Sequence, residues 1–285
     1  MSVKIITDTA SDFTLDDTNN YNVKVMPLTI IIGGKEYKDN VTISNEEFYN
    51  KLIENAELPK TSQVTPYEYE CAYNEAFKDN DEVIVITISK YLSGCYQSAV
   101  MAREEHEKKD NIYVVDSLNA TVGEKILVKL AVKLANEGKK ASEIAAILEE
   151  KVSQIRLVAL VDTLEYLKKG GRISSAVAFF GGLLSIKPVI EIDNGQVKML
   201  GKARGSKNAN NLLKELVEKK GGIDFDLPFE LGYGGFNDVP LKKYIEDNSD
   251  LYAEYTNNLP ITQLGPTIGT HVGPGAAAVA FFSKK

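Results

Sequence analysis

The feature that most constrains the fold is the alternation of strand-like and helix-like segments through the first half of the chain. Apolar, β-branched runs at 3–9 (VKIITDT), 23–32 (VKVMPLTIII), 82–89 (EVIVITIS) and 111–117 (NIYVVDS) read as strands. Helical patterns lie between them. Ser44 with Glu47, and Thr65 with Glu68, have the spacing of capping boxes, and Pro66 suits a first helical position. Further helices are expected from about 94 to 109, from 121 to 138 with Ile126, Leu127, Leu130 and Leu134 apolar, and from Ser142 onward. This order specifies a mostly parallel sheet with helices packed on its faces.

From about Arg156 the pattern changes to shorter strands and more glycine. PVIEID and QVKML flank Asn194-Gly195, a dipeptide favoured in type I′ hairpin turns. A helix at 207–219 follows, then FELGYGG, a short helix near Leu241, LYAEYT and TIGTHVGPGAAAVAFF. That order suits a mixed sheet with helices on one face. The chain therefore reads as two α/β domains, 1–155 and 156–285. Its 285 residues, 44% of them apolar, are enough for two cores without covalent staples. The two cysteines, Cys71 and Cys95, are expected to be reduced thiols, and no Cys/His cluster points to zinc.

The N-terminal MSVKIITDTASD enters a strand pattern with neither a basic nor an apolar leader, so the expected location is the cytoplasm. No apolar run reaches the ~20 residues of a membrane span. The longest, 173–186, is interrupted by serines and glycines. A net charge of −7 argues against general nucleic-acid binding. The charge is uneven: 168–207 carries eight Lys/Arg against Glu191 and Asp193, which leaves that segment at +6 and the remainder at −13.

In open parallel sheets ligands collect where strand ends lead into helix starts. The loops Asp8 to Asp12, Ser89 to Gly94 and Asp116 to Asn119 fall there, and Thr61-Ser62-Gln63 precedes a capped helix. Any one of them is accounted for by turn closure and capping. Ser93-Gly94 stands apart, because a hydroxyl with exposed N–H groups at a helix start can hold an anion without formal positive charge. His271 sits among the glycines of TIGTHVGPGA, whereas His106 in REEHEKK reads as a solvated helix face. An alternative reading is a serine-dependent hydrolase or acyl-transfer enzyme, with Ser93 as nucleophile, His271 as base and Asp8 or Asp116 as orienting acid. It lacks the GxSxG turn. GPGAAA matches a dinucleotide fingerprint in spacing only, since seven residues after it cannot complete a βαβ unit. No metal is expected.

Seven motifs occur in order: IITDTASD at 5–12, TSQVTP at 61–66, YLSGCYQSA at 91–99, VDSLNATVGE at 115–124, LKKGGRIS at 167–174, GKARG at 201–205 and IGTHVGPGA at 268–276. Together they resemble the DegV family. The resemblance implies a three-layer α/β/α first domain with a parallel sheet, a two-layer second domain with a mixed sheet, and a fatty acid buried between them. It implies a bacterial, cytoplasmic, non-catalytic carrier similar to the lipid-binding subunit of a fatty acid kinase, with no cofactor and a palmitate-like ligand. An ATP-binding partner subunit would phosphorylate the carboxylate to an acyl phosphate, and transient membrane contact is allowed.

Carried over by motif, the carboxylate contacts fall on Thr61, Ser62, Ser93, Gly94 and His271. Arg172 orients the head group or meets the partner, and Lys202 and Arg204 form the docking surface. The chain departs from the family pattern at ITDT, at SGC, which places Cys95 near the head group, and at Ala278, where glycine is common. AVAFFGGLLSI supplies apolar wall material.

Overall fold

The computed structural model describes residues 2–55, 57–174, 186–255 and 258–284. The AVAFFGGLLSI segment lies outside the described residues apart from its final Ile186. The first half carries strands β1 (Val3–Asp8), β2 (Val23–Met26), β3 (Thr29–Ile32), β4 (Lys35–Lys38), β5 (Lys60–Ser62), β6 (Glu82–Thr87) and β7 (Ile112–Asp116). Its helices are α1 (Leu15–Tyr21), α2 (Asn45–Glu54), α3 (Pro66–Ala76), α4 (Cys95–Glu105), α5 (Thr121–Asn136) and α6 (Ala141–Val152).

The expected parallel sheet is present, in the order β2-β1-β6-β7 with every pairing parallel. β6 is buried along its whole length, as the apolar run 83–86 at its centre requires of a central parallel strand. Helices α3 and α4 pack together, and α5 packs on α6, one pair to each face of the sheet. The Thr65–Glu68 capping box is complete, with Pro66 at the first helical position.

One expected strand is two. The run 23–32 breaks after Met26 because Pro27 has no N–H for a ladder, and the Leu28 N–H turns instead to Thr9 Oγ1 at 3.0 Å. The remainder, β3, joins a separate antiparallel sheet in the order β4-β3-β5.

The second half carries β8 (Ile155–Leu160), α7 (Glu165–Lys169), β9 (Ile186–Asp193), β10 (Gln196–Arg204), α8 (Ser206–Lys219) and β11 (Glu230–Tyr233). It continues with α9 (Val239–Asp247), β12 (Ile261–Gln263), α10 (Pro266–Val272) and β13 (Ala277–Phe282). These strands form one mixed sheet in the order β10-β9-β8-β13-β11-β12, parallel only between β11 and β12. The β9–β10 hairpin turns on Asn194 and Gly195, both at positive φ (49° and 79°), as a type I′ turn demands. Within LYAEYT the described residues carry a 3-10 turn at Ala253–Tyr255.

Strand alternation divides the mixed sheet into two apolar faces. Val158, Leu160, Val189, Val279 and Phe281 pack towards Leu213 and Val217 of α8 and Tyr244 of α9. Leu157, Ala159, Val161, Ile190, Ala278 and Ala280 belong to the core of the first half.

Between the two large sheets runs α5, which touches β1 and β6 on one side and β8, β11 and β13 on the other. It is buried on nearly every face, including Glu124 and Lys125, which in an amphipathic helix would face water. Lys125 is 2% exposed; its ammonium lies 2.6 Å from Asp17 Oδ2 and donates to Thr262 Oγ1 at 2.8 Å. Lys129 reaches Glu230 Oε2 at 2.6 Å. These contacts tie the parallel half to the edge of the mixed sheet.

The IITDTASD loop is also internal. Asp8 accepts from the N–H groups of Ala10 and Ile88, each at 3.0 Å, and so joins the ends of β1 and β6. Asp12 accepts from the Gly265 N–H at 2.8 Å and from the Thr121 hydroxyl at 2.6 Å. Burial raises both carboxyls from the ordinary 3.8 to about 7. A raised folded-state pKa means that the folded protein binds more protons than the unfolded chain between those two values. The stabilisation is full below about pH 3.8 and is lost as the pH rises to about 7. Urea unfolding across that window should show a falling contribution to stability that flattens in Asp8→Asn and Asp12→Asn; an unchanged slope in both would contradict the assignment.

Candidate functional site

The carboxyl ends of β1, β6 and β7 face the inner side of the mixed sheet across a cavity. It encloses about 770 Å³ of non-atom space, the open mouth included. Most of its described lining is apolar. Leu157, Ala159 and Val161 project from β8 and its extension, Ile190 and Ile192 from β9, and Val197 from β10. Ala276 and Ala278 line it as well, and with Ala159 their small side chains leave room in a sheet otherwise filled by larger residues.

Six polar residues reach the lining: Thr61, Ser93, Thr121, Arg172, Thr267 and His271. Two of these have their hydroxyls committed elsewhere. Thr121 donates to Asp12, and Thr267 donates to the buried Asp39, whose carboxyl burial raises to about 6. Thr121 adopts φ +52°, a strained conformation for a β-branched residue. The buried aspartates thereby satisfy hydroxyls that would otherwise be polar atoms in an apolar wall.

The other four gather in one place. Thr61 Oγ1 lies 2.9 Å from His271 Nε2. Arg172 donates from Nε to the Leu92 carbonyl at 3.2 Å, next to Ser93, and also donates to the Gly170 carbonyl. Gly170 in turn packs on His271; a Cβ there would stand 2.3 Å from Nδ1, which only glycine avoids. These two contacts leave further donors on the guanidinium, which has five.

Burial, followed by the nearby Arg172 charge, lowers the His271 pKa to about 4, so its imidazole is neutral at physiological pH. Nδ1 has no hydrogen-bond partner. A proton on Nε2 then lets His271 donate to the Thr61 oxygen and frees the Thr61 hydroxyl hydrogen for a ligand.

Local structure differs from the expected helix-start placement for one residue. Thr61 sits in the middle of β5, opposite Ile30, and the helix begins only after the cap at Thr65. The strand's alternation turns its neighbour Ser62 outward, where it is exposed and does not line the cavity. Ser93 does lie just before a helix, in the β6–α4 loop, with its N–H bonded to the Ser89 carbonyl at 3.1 Å and its hydroxyl directed to Cys95 Sγ at 3.3 Å.

Gly94, the cap of α4, is covered by Gln63 rather than by the cavity. A Cβ on Gly94 would lie 1.9 Å from Gln63 Oε1, and Gln63 Nε2 donates to Ser98 Oγ at 2.8 Å. Cys95 is buried and its thiol pKa is pushed far up by desolvation, which leaves it protonated and unreactive. Lys202 and Arg204 are exposed on β10, an edge strand, and project from the same face of it.

The hydrolase geometry is not formed. His271 engages Thr61, and no hydrogen bond joins it to Ser93 among the described residues. Asp8 is held by backbone N–H groups, as is Asp116, which accepts from Lys90 and Leu118. Among the described residues no group of three or more His, Cys, Asp or Glu could hold a metal ion, and no helix is long and apolar enough to cross a membrane.

The wall residues of the mixed sheet escaped the sequence reading, although Leu157, Ala159 and Val161 alternate as strand residues facing one side should. The strand signal was present; what it faced was not.

Comparison with known proteins places the fold in a family. The profile of the family described as "Uncharacterised protein, DegV family" matches residues 2–284. A DegV domain-containing protein of Caldanaerobacter subterraneus is 38% identical over 283 residues, 99% of each chain. A Thermus thermophilus structure described as fatty acid binding of a DegV family protein superposes with a TM-score of 0.85 at 31% identity, covering 99% of this chain and 100% of that one. The structure of DegV from Bacillus subtilis, described as a fatty acid binding protein, has a TM-score of 0.83 at 29% identity and covers 100% of both chains. The chain belongs to the DegV family.

Proposed function

We propose that this protein is a non-catalytic, cytoplasmic carrier that encloses one long-chain fatty acid between two domains, 1–155 and 156–285. The observation that carries the reading is a cavity of apolar walls whose polar groups not paired with a buried acid, Thr61, Ser93, Arg172 and His271, meet in one cluster. Relatives of the same fold are described as binding fatty acids.

The energetics suit such a ligand. A palmitate-like tail buries about 14 methylenes at ~0.8 kcal/mol each, on the order of 11 kcal/mol before ordering costs are subtracted. The carboxylate opposes burial, since an unpartnered anion in an apolar site is heavily penalised. Hydroxyls from Thr61 and Ser93 answer that cost, and the Arg172 charge compensates the anion. His271 contributes by holding the Thr61 oxygen from the opposite side.

The carrier would present the carboxylate to an ATP-binding kinase subunit for conversion to an acyl phosphate. Lys202 and Arg204 supply the docking face, on the outer edge of the mixed sheet and within the +6 segment of an otherwise acidic chain. Transient approach to a membrane would load the site.

Two measurements test the division of roles. Titration of delipidated protein with a fluorescent fatty acid should show at least about tenfold weaker binding for Thr61→Ala plus Ser93→Ala, because two charge-assisted hydrogen bonds are lost. Wild-type affinity in that variant would refute the head-group assignment. Charge reversal by Lys202→Glu plus Arg204→Glu should weaken kinase association, most clearly at low salt, and leave fatty acid content intact. Loss of lipid with association unchanged would refute the docking role.

A further inference from the structure

A second, polar groove lies behind the apolar cavity. Glu149, Arg156, Asp193 and Lys219 line it, together with Lys220, which is ion-paired with Glu191 at 2.5 Å. Among the described residues one side chain lines both spaces: Ile192, on β9.

The boundary can be followed through three elements. On β8 it falls between the inward residues Ile155, which lines the groove, and Leu157, which lines the cavity; Arg156 between them projects from the opposite face. In the loop before α5 it falls between Asn119 on the groove side and Ala120 on the cavity side. On β9 it runs through Ile192 itself.

β8 also gives the cavity a direction. From Leu157 to Val161 its inward residues span four steps of ~3.3 Å, about 13 Å. The chain then continues into α7, whose terminal Gly170 touches both His271 and Arg172. His271 and Arg172 therefore stand at one end of this course and the Ile192 partition at the other.

We propose that Ile192 is the residue that limits chain length. The inference rests on the fatty acid reading above and deepens it. Each methylene that settles in the apolar cavity tightens binding about fourfold. One that passes the partition enters a groove open to solvent, where charged side chains stand beside Leu118, Val152 and Ile155 and transfer from solvent gains less. Affinity should thus climb with chain length and then level off at the length that reaches Ile192.

The test is competition of a ladder of saturated fatty acids against a fluorescent fatty acid on delipidated protein. Wild type should show the climb and the break. Ile192→Ala should move the break to longer chains by roughly the three carbons removed from the side chain, and Ile192→Val should move it the same way by about one. Ile192→Phe should move it to shorter chains. Circular dichroism and urea midpoints identify any variant that fails to fold, and the remaining variants carry the test. A break at the same length in every folded variant would overturn the role of Ile192 while leaving the carrier reading intact. Failure of wild type to bind any member of the ladder would instead defeat the carrier reading.

Discussion

The structure depends on one shared helix. α5 is the layer that both large sheets use, so its faces cannot be divided into core and solvent sides. Two charged residues follow it into the interior. Glu124 accepts from the Thr7 hydroxyl at 3.0 Å, and burial pushes its carboxyl pKa well up, while Lys125 finds Asp17 and Thr262. Breaking a buried pair by removal of one partner typically costs about 3–5 kcal/mol. The apposition of the sheets is therefore fixed by packing and by a small set of buried polar contacts, and the cavity is the space that this apposition leaves beside the start of α5.

The same alternation that lets the mixed sheet bind helices on its outer face makes its inner face a wall. Large residues at Leu157, Ile190 and Ile192 and small ones at Ala159, Ala276 and Ala278 shape it. Polar atoms that border this wall are paired with buried acids, as at Thr121 with Asp12 and Thr267 with Asp39, except where four groups converge at the head. An amphiphile with a long apolar body and one anionic end complements that pattern. A neutral imidazole suits it as well, because His271 can orient Thr61 without the cost of a second buried charge.

Much of this architecture was legible in the sequence. The four parallel strands, the Thr65–Glu68 cap and the Asn194-Gly195 hairpin all have local causes, in periodicity, side-chain capping and positive φ, and all stand where those causes placed them. What depends on distant partners was not. The run 23–32 carries one strand signal, yet Pro27 sends its halves to different sheets. Thr61 lies on a strand because Ile30, distant in sequence, pairs with it, and that strand turns Ser62 outward. Lys125 reads as a solvent-facing lysine until a second sheet covers it. Thr61, Ser93 and His271 were recognisable as a group only through the family motifs; their meeting beside Arg172 is a product of tertiary packing.

The central claim is that the space between the parallel and mixed sheets is a lipid site. Mass spectrometry of an organic extract from natively purified protein tests it most directly. The account predicts one long-chain fatty acid per chain, palmitate-like in length. Protein that yields no fatty acid, and that after purification fails to take up added fatty acid, would contradict it.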